Sequence, residues 1–325
     1  MKAIVYTAYG PPEVLQLKEV EKPAPGDDEV LVKTHAATVT ARDCEIRGFN
    51  LPMWLWLPVR IMMGLTRPRR TILGQELAGE IEAAGRNVHQ FKAGDPVFAA
   101  CFEFGAYAQY KCLPGDGPLA IKPANMSYAE AACIPTGGYN ALHFLKKANI
   151  QAGQQVLING AGGCIGVIAI QLARYFGAEV TGVDSAEKLD MLRGIGADHV
   201  IDYKQVDFTK SGKTYDVILD VIGKSPYSRS VRCLNKNGFY LLANPRFLRI
   251  LRGLWTSATS SKKVIFEFAS ARREDLEYLR DLIEAGKIKA VIDRSYPLDQ
   301  VAEAHTYMET GRKKGCVAIT IEHDD

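Results

Sequence analysis

The chain has 325 residues, a length that predicts two domains of ordinary size and is sufficient to bury a core without disulfides. Hydrophobic residues make up 47% and charged residues 24%, which excludes a disordered, collagenous or coiled-coil protein. The 40 Lys and Arg against 37 Asp and Glu give a formal net charge of +3, an excess too small to predict nucleic-acid binding.

Short alternating runs separated by Gly, Pro, Asp and Asn predict that the first 125 residues are rich in β-structure. The clearest strand candidates are Glu29–Val32, Leu77–Glu82 and Pro96–Ala99. They predict a small barrel or an irregular sheet. An apolar insert followed by a basic cluster, residues 51–70, departs from this pattern.

We expect residues 54–63 of that insert either to line or cover a pocket, or to form a helix packed on the barrel. The basic residues that follow, Arg67, Arg69 and Arg70, could contact anionic lipid. A second apolar segment with interspersed arginines, Phe247–Trp255, also lies outside the regular pattern.

From Gln155 onward, strand and helix patterns alternate, which predicts a doubly wound parallel sheet. The predicted strands are Gln155–Asn159, Glu179–Val183, His199–Asp202, Asp216–Asp220, Gly238–Ala243 and Lys263–Phe268. The predicted helices between them are Gly163–Phe176, Ala186–Gly194 and Pro226–Asn235. Two further helices, Arg273–Ala285 and Leu298–Thr310, and a final strand, Cys316–Ile321, complete the chain.

The most informative motif runs from Val156 to Asp184 and reads VLINGAGGCIGVIAIQLARYFGAEVTGVD. Val156–Ala173 carry no charge over a length that could span a bilayer. Four glycines interrupt this stretch, however, and predict a strand, a tight turn and a helix instead; they are Gly160, Gly162, Gly163 and Gly166. Such a turn brings backbone N–H groups and a helix N-terminus to a pyrophosphate, so the segment predicts dinucleotide binding.

Further motifs with a family resemblance lie along nearly the whole chain. They are GQELAGEI (74–81), FKAGDPVF (91–98), GAGGCIG (160–166), GADHVIDY (196–203) and LDVIG (219–223). Together they resemble the medium-chain dehydrogenase/reductase superfamily, and most of all its zinc-independent quinone oxidoreductase branch. The resemblance implies an α/β protein with a GroES-like β-barrel catalytic domain, residues 1–124 and 271–325. It implies a Rossmann cofactor-binding domain, with a doubly wound parallel sheet, over residues 125–270.

The cofactor site expected from the motif and the resemblance includes the glycine turn and the ends of the following strands. Its members are Gly160, Gly162, Gly163, Cys164, Ile165, Gly166, Asp184, Ser185, Lys188, Tyr203, Val221, Gly223 and Leu242. Asp184 would accept hydrogen bonds from a ribose diol and would favour NADH. In the family, a Lys and a Tyr spaced like Lys188 and Tyr203 contact the 2′-phosphate of NADPH. We therefore expect NADPH and leave NADH open.

A catalytic metal is not expected. In the zinc alcohol dehydrogenases of this superfamily, ligands stand at the positions of Thr40, Gln75 and a cysteine near Cys133, and two of these three are lost here. The cysteines also predict neither a disulfide framework nor a structural zinc lobe, since their number is odd and no C-x-x-C occurs. With an amino terminus that lacks a signal-peptide core, this usage predicts a cytoplasmic protein.

Without a metal, a conjugated acceptor is easier to reduce than a simple ketone, so a quinone or enone substrate is expected. Thr40 and Gln75 are the candidates to stabilise the developing charge on the substrate oxygen, although both could serve structural hydrogen bonds. The resemblance also implies a homodimer, formed through the strand at Lys263–Phe268. The alternatives are a zinc-type alcohol dehydrogenase and a non-catalytic, nucleotide-binding adaptor that contacts membranes through the segments around Trp54 and Leu251.

Overall fold

A computed structural model describes residues 1–323 and divides the chain into two compact units. The first unit contains residues 1–136, 271–285 and 290–323, and the second contains residues 137–270 and 286–289. The first boundary thus falls after residue 136, where the sequence analysis placed it after residue 124. Residues 128–132 stay with the first unit because they pack on its strands.

Within residues 1–323, the strands in chain order are β1 (Lys2–Val5), β2 (Gln16–Glu19), β3 (Glu29–Val39), β4 (Glu76–Ala84), β5 (Pro96–Ala100), β6 (Tyr110–Pro114), β7 (Leu119–Ile121), β8 (Gln155–Asn159), β9 (Glu179–Asp184), β10 (His199–Asp202), β11 (Tyr215–Asp220), β12 (Leu234–Leu242), β13 (Lys263–Ile265), β14 (Ile292–Pro297) and β15 (Cys316–Thr320).

The α-helices of the same region are α1 (Ala41–Gly48), α2 (Met53–Met63), α3 (Tyr128–Ala132), α4 (Pro135–Lys147), α5 (Cys164–Tyr175), α6 (Leu189–Gly194), α7 (Tyr227–Arg232), α8 (Phe247–Thr259), α9 (Arg273–Glu284) and α10 (Val301–Glu309). Single turns of 3-10 helix lie at Pro12–Val14, Ala186–Lys188, Phe208–Lys210 and Leu298–Gln300.

The first unit is built on a sheet that unites both ends of the chain. Its strands follow the order β14-β15-β3-β4-β5-β7, and β6 pairs with β3. The long central strand β3 carries buried Val30, Val32 and Thr34 along its length and extends well beyond the predicted Val32, since β-branched side chains continue through Val39. This is the GroES-like domain that the resemblance implied, with α1 and α10 packed against each other beside it.

The second unit contains a parallel sheet in the order β10-β9-β8-β11-β12-β13. Counted along the chain, this is the 3-2-1-4-5-6 order of a Rossmann fold, which confirms the predicted fold class. The strands β8 and β10 have the predicted bounds, because hydrophobic runs between turns mark buried parallel strands. One predicted strand is too long: β13 ends at Ile265, where Phe266 leaves the sheet and its ring packs at Gly253 of α8.

Candidate functional site

The carboxyl ends of the parallel strands bring the predicted cofactor residues to one edge of the second unit. Asn159 of β8 pairs in register with Val183 of β9 and with Asp220 of β11. Asp184 pairs with Asp202, and Asp220 pairs with Leu242. The glycine turn, Asp184, Tyr203, the 221–223 loop and Leu242 therefore follow or end neighbouring strands at the edge where doubly wound folds bind nucleotides.

The glycine turn between β8 and α5 has the geometry that a pyrophosphate requires. Gly160 adopts a φ of +88°, and its N–H donates to the Val183 carbonyl at 3.0 Å. Gly163 caps α5, and within residues 1–323 the amides of Ile165 and Gly166 have no hydrogen-bond partner. Helix α5 thus offers unpaired N–H groups and its positive dipole end, with Cys164 as its first residue.

Gly162 explains why this turn excludes side chains. A Cβ added at Gly162 would lie 2.5 Å from Cδ of Lys188 and 3.0 Å from a carboxylate oxygen of Asp184. Its N–H donates to Asp184 Oδ2 at 2.8 Å. The turn is therefore held directly against the end of β9, and the residues present fit a dinucleotide cofactor.

Asp184 and Lys188 form a buried ion pair. Lys188 Nζ lies 3.1 Å from Asp184 Oδ1, and the side chains are only 8% and 6% exposed. The Ser185 amide donates to the same carboxylate at 2.9 Å. Each residue therefore neutralises the other at the position where the ribose of a bound cofactor is expected.

The remaining predicted cofactor residues lie along the same edge. The Tyr203 amide donates to the Asp184 carbonyl at 3.1 Å, while the Tyr203 side chain is exposed. In the 221–223 loop, the Val221 amide donates to the Asn159 carbonyl at 3.0 Å, and Gly223 adopts a φ of +66°. Because its side chain is exposed, Tyr203 can contact a ligand at this edge without a change in the backbone.

Asp220, at the end of β11, is a residue of this edge that the sequence analysis missed. It is fully buried, and Oδ2 accepts hydrogen bonds from Ser225 at 2.6 Å and Tyr240 at 2.9 Å. Arg249 Nη1 lies 3.2 Å from the same oxygen, and the Gly223 amide donates to Oδ1 at 2.9 Å. A carboxylate so fully paired has a positioning role, fixing the 221–223 loop to β11 and α8. Its place in LDVIG, directly before the 221–223 loop, was the available signal.

In the first unit, Thr40 and Gln75 are in contact. Thr40 Oγ1 lies 3.1 Å from Gln75 Oε1, and both side chains are buried. Thr40 is also the N-cap of α1: its hydroxyl donates to Asp43 Oδ2 at 2.6 Å and accepts from the Asp43 amide at 3.2 Å. Thr40 therefore stabilises the start of α1, whereas Gln75 Nε2 has no hydrogen-bond partner within residues 1–323.

Asp43 lies at the centre of this cluster and was not singled out from the sequence. Its Oδ1 accepts from the Gly74 amide at 3.0 Å, and its Oδ2 accepts from the Thr40 amide at 2.9 Å. Complete burial raises the pKa of the Asp43 carboxyl to about 6, although hydrogen bonds from Thr40, Gly74 and Tyr107 act in the opposite direction. A carboxyl in this state can hold or release a proton near neutral pH.

A buried histidine, His305, completes the cluster. His305 Nε2 lies 3.3 Å from Tyr107 Oη, and Nδ1 lies 3.2 Å from Arg47 Nη1. Because the guanidinium can only donate, Nδ1 accepts and Nε2 carries the proton toward Tyr107. Burial, and then the Arg47 charge, lower the pKa of His305 to about 3, so the imidazole is neutral and orients Tyr107.

The third position expected for a zinc ligand in this superfamily contributes nothing here. Cys133 is buried, and its carbonyl oxygen accepts from Cys316 Sγ at 3.6 Å. Across residues 1–323, no group of three His, Cys, Asp or Glu side chains could hold a metal ion. Within the described residues, the side chains at and around Thr40 and Gln75 thus do not provide the three ligands that a catalytic zinc requires.

The 51–70 insert contains α2, and a basic segment with several bends follows it. Arg60 of α2 stacks on Tyr9 and Phe49, 4.0 and 4.4 Å from the ring centroids, and Tyr9 donates to the Met63 carbonyl at 3.0 Å. These contacts anchor one face of α2 and leave most of its apolar side chains exposed. No helix within residues 1–323 is both long and apolar enough to cross a bilayer.

Comparison with known proteins gives the same assignment for both units. The family described as "Alcohol dehydrogenase GroES-like domain" matches residues 26–150, and the family described as "Zinc-binding dehydrogenase" matches residues 195–319. The 2-methylene-furan-3-one reductase of Solanum lycopersicum is 32% identical over 98% of this chain and 79% of its own length.

Two quinone oxidoreductases extend the comparison. The one from Homo sapiens is 30% identical over 94% of this chain and 93% of its own length. The crystal structure of Escherichia coli quinone oxidoreductase complexed with NADPH is 27% identical, with a TM-score of 0.82, over 98% of this chain and 100% of that one. These similarities extend along essentially the whole chain.

Proposed function

Because this chain belongs to the medium-chain dehydrogenase/reductase superfamily, in its quinone oxidoreductase-like branch, we propose that it is an NADPH-dependent oxidoreductase that reduces quinones or α,β-unsaturated carbonyls. The observation that carries the proposal is the glycine turn with its unpaired amides, in a chain that has Thr40 and Gln75 where its zinc-dependent relatives have ligands. All seven cysteines are free thiols, which supports the cytoplasm as the location.

The second unit would hold the cofactor. The amides of Ile165 and Gly166 would donate to the pyrophosphate beside Gly163, the N-cap of α5. Lys188 would supply a cation and Tyr203 a hydroxyl to a 2′-phosphate, which favours NADPH, while Asp184 suits the diol of NADH. When bound, the cofactor supplies the hydride.

The substrate class follows from what the protein must do while the cofactor supplies the hydride, which is to stabilise the charge that forms on the substrate. Hydride addition to an enone or quinone moves negative charge onto a carbonyl oxygen through conjugation. A hydrogen-bond donor suffices to stabilise that charge, whereas a simple ketone requires stronger polarisation. Gln75 is a buried residue whose Nε2 has no hydrogen-bond partner within residues 1–323, and we assign this donor to the substrate oxygen.

The proton that completes the reduction would come from the Thr40–Asp43 pair. Thr40 Oγ1 lies 2.6 Å from Asp43 Oδ2, and the pKa of Asp43 is raised to about 6 by burial. Thr40 Oγ1 would give its hydroxyl proton to the reduced substrate and take a replacement proton from Asp43 Oδ2. Tyr107, oriented by His305, donates to the Thr38 carbonyl at 3.2 Å and helps to lower the pKa of Asp43.

A turnover panel tests the function and the absence of metal together. We expect oxidation of NADPH in the presence of quinones and enones, no turnover of simple alcohols, and no loss of activity to a chelator. Elemental analysis should find less than one zinc per chain. One zinc per chain with chelator-sensitive alcohol oxidation would establish a zinc-type alcohol dehydrogenase. Failure of every acceptor with both cofactors would favour a non-catalytic adaptor.

Gln75→Ala should lower kcat by about a hundredfold, the usual effect of removing one donor to a developing oxyanion, and leave the Kd for NADPH unchanged. Thr40→Ser is the matched control, because it keeps both the hydroxyl and the cap of α1 and should retain most of kcat. Steady-state kinetics and cofactor titration of both variants measure these effects. Equal kcat in Gln75→Ala and the parent would remove Gln75 from the mechanism.

We also propose a homodimer formed through β13, the outer strand of the parallel sheet. An apolar edge strand such as this one avoids uncontrolled association by pairing with its twin. On one side, Lys263, Val264 and Ile265 of β13 pair with β12. The other side of β13 is therefore open to a strand of a second copy. Light scattering at micromolar concentration should give twice the chain mass, and a monomer mass would refute the dimer.

A further inference from the structure

The segment from Val221 to Phe266 has an unusual charge pattern. It contains nine Lys and Arg and no Asp or Glu, although the whole chain is close to neutral. Helix α8 lies within this segment, and its only charged side chains are those of Arg249 and Arg252, with Arg246 as its N-cap. An apolar helix is thus set within a positively charged part of the second unit.

The apolar side chains of α8 point away from the unit. Leu248, Leu251, Leu254 and Trp255 are 71, 49, 56 and 72% exposed. Residues three, four and seven apart share one face of a helix, so these four form one exposed surface. We call Leu248, Leu251, Leu254 and Trp255 the α8 surface.

The opposite side of α8 fixes this orientation. A Cβ added at Gly253 would lie 2.9 Å from Val264 Cγ1, so the helix packs closely on β13 at that point. Ser257 Oγ accepts from the Val264 amide at 2.9 Å, and Arg249 is paired with buried Asp220. Rotation of α8 to bury its apolar surface would break these contacts.

The acidic groups beside this segment are paired with cations, and Glu267, directly after it, has its Oε2 2.9 Å from Lys147 Nζ. Asp220 is fully buried beside Arg249, and Asp207 Oδ2 lies 3.1 Å from Arg229. Arg252, at the border of the α8 surface, stacks 4.8 Å above the Tyr227 ring. The field around the α8 surface is therefore positive.

An apolar helix face bordered by arginines and free of acidic groups complements one occupant in particular. Anionic lipid supplies both an apolar interior and a negatively charged interface. The proposed dimer seats a second copy against the outer side of β13, and a copy seated on the α8 surface instead would bring Arg252 of both chains together, since a two-fold interface sets a patch against itself. We propose that α8 docks the second unit on the surface of an anionic bilayer, with Leu251, Leu254 and Trp255 inserted among the headgroups.

Flotation with vesicles tests this docking on the full chain with NADPH present. The parent should float with vesicles of phosphatidylcholine and phosphatidylglycerol, bind vesicles of phosphatidylcholine alone more weakly, and be released by high salt. Leu254→Glu should lower the partition onto anionic vesicles about tenfold, because it places a negative charge in the contact. Leu57→Glu on α2 is the matched control, since Leu57 and Leu254 are both 56% exposed, and it should bind like the parent.

Trp255 provides a direct report of insertion. Trp54→Phe with Trp56→Phe leaves Trp255 as the single tryptophan, and its fluorescence should shift to the blue on anionic vesicles. Failure of the parent to float at low salt, or equal losses from Leu254→Glu and Leu57→Glu, would overturn the proposal. The proposal would also be wrong if Leu254→Glu changes the oligomeric state while the parent does not bind vesicles, because the α8 surface would then be an interface between copies.

Discussion

Replacing Gly163 with valine should weaken binding of NADPH and NADH at least a hundredfold, equivalent to about 3 kcal/mol. Gly163 is the N-cap of α5, and a branched side chain there would occupy the place of the pyrophosphate. Its φ of −94° and ψ of 173° are open to any residue, so we expect the fold to persist. Fluorescence titration of both cofactors measures the affinity, and thermal unfolding checks the fold.

Gly194→Val serves as the control for this change. It lies in the same unit, and a Cβ at Gly194 meets nothing within 4 Å. The control should bind cofactor like the parent. If Gly163→Val also binds cofactor like the parent while remaining folded, the glycine turn does not hold the pyrophosphate.

Replacing Asp184 with serine should tighten NADPH binding by about ten- to a hundredfold, on the order of 1–3 kcal/mol, by removing a repulsion with the 2′-phosphate. Lys188→Ala should weaken NADPH and leave NADH nearly unchanged, because only the phosphate needs a cation. Titration of both cofactors against both variants measures these effects. Equal shifts for NADH and NADPH would show that neither residue reads the 2′ position.

The same variants should differ in stability, because the pair is buried. Each single change leaves a buried charge without its partner and should lower the free energy of unfolding by about 3 kcal/mol. The double variant, Asp184→Ser with Lys188→Ala, leaves no unpaired charge and should be more stable than the sum of the single losses predicts. Strictly additive losses in denaturant unfolding would mean that the two side chains are not coupled.

The sequence predicted the second unit well because its elements are marked locally. Buried parallel strands appear as apolar runs, and glycines mark the turn between β8 and α5, so β8 and β10 have their predicted bounds. The carboxyl ends of parallel strands all lie at one edge of the sheet. The strand order alone therefore predicts that the candidate cofactor residues lie together there. The first unit was predicted less well: β3 is interrupted by bulges near Val32 and Ala36, and its partners come from both ends of the chain.

Composition, charge and motif spacing thus determined by themselves the two-domain organisation, the Rossmann unit and the glycine turn between β8 and α5. Only the tertiary structure decided how the charged and polar side chains are used. Asp184 and Lys188 are four residues apart, and burial rather than spacing makes them a shielded pair. His305 and Tyr107 are 198 positions apart, and no local pattern could join them. Hydrogen bonds in a core depend on which distant elements pack together, and that information is spread over the whole chain.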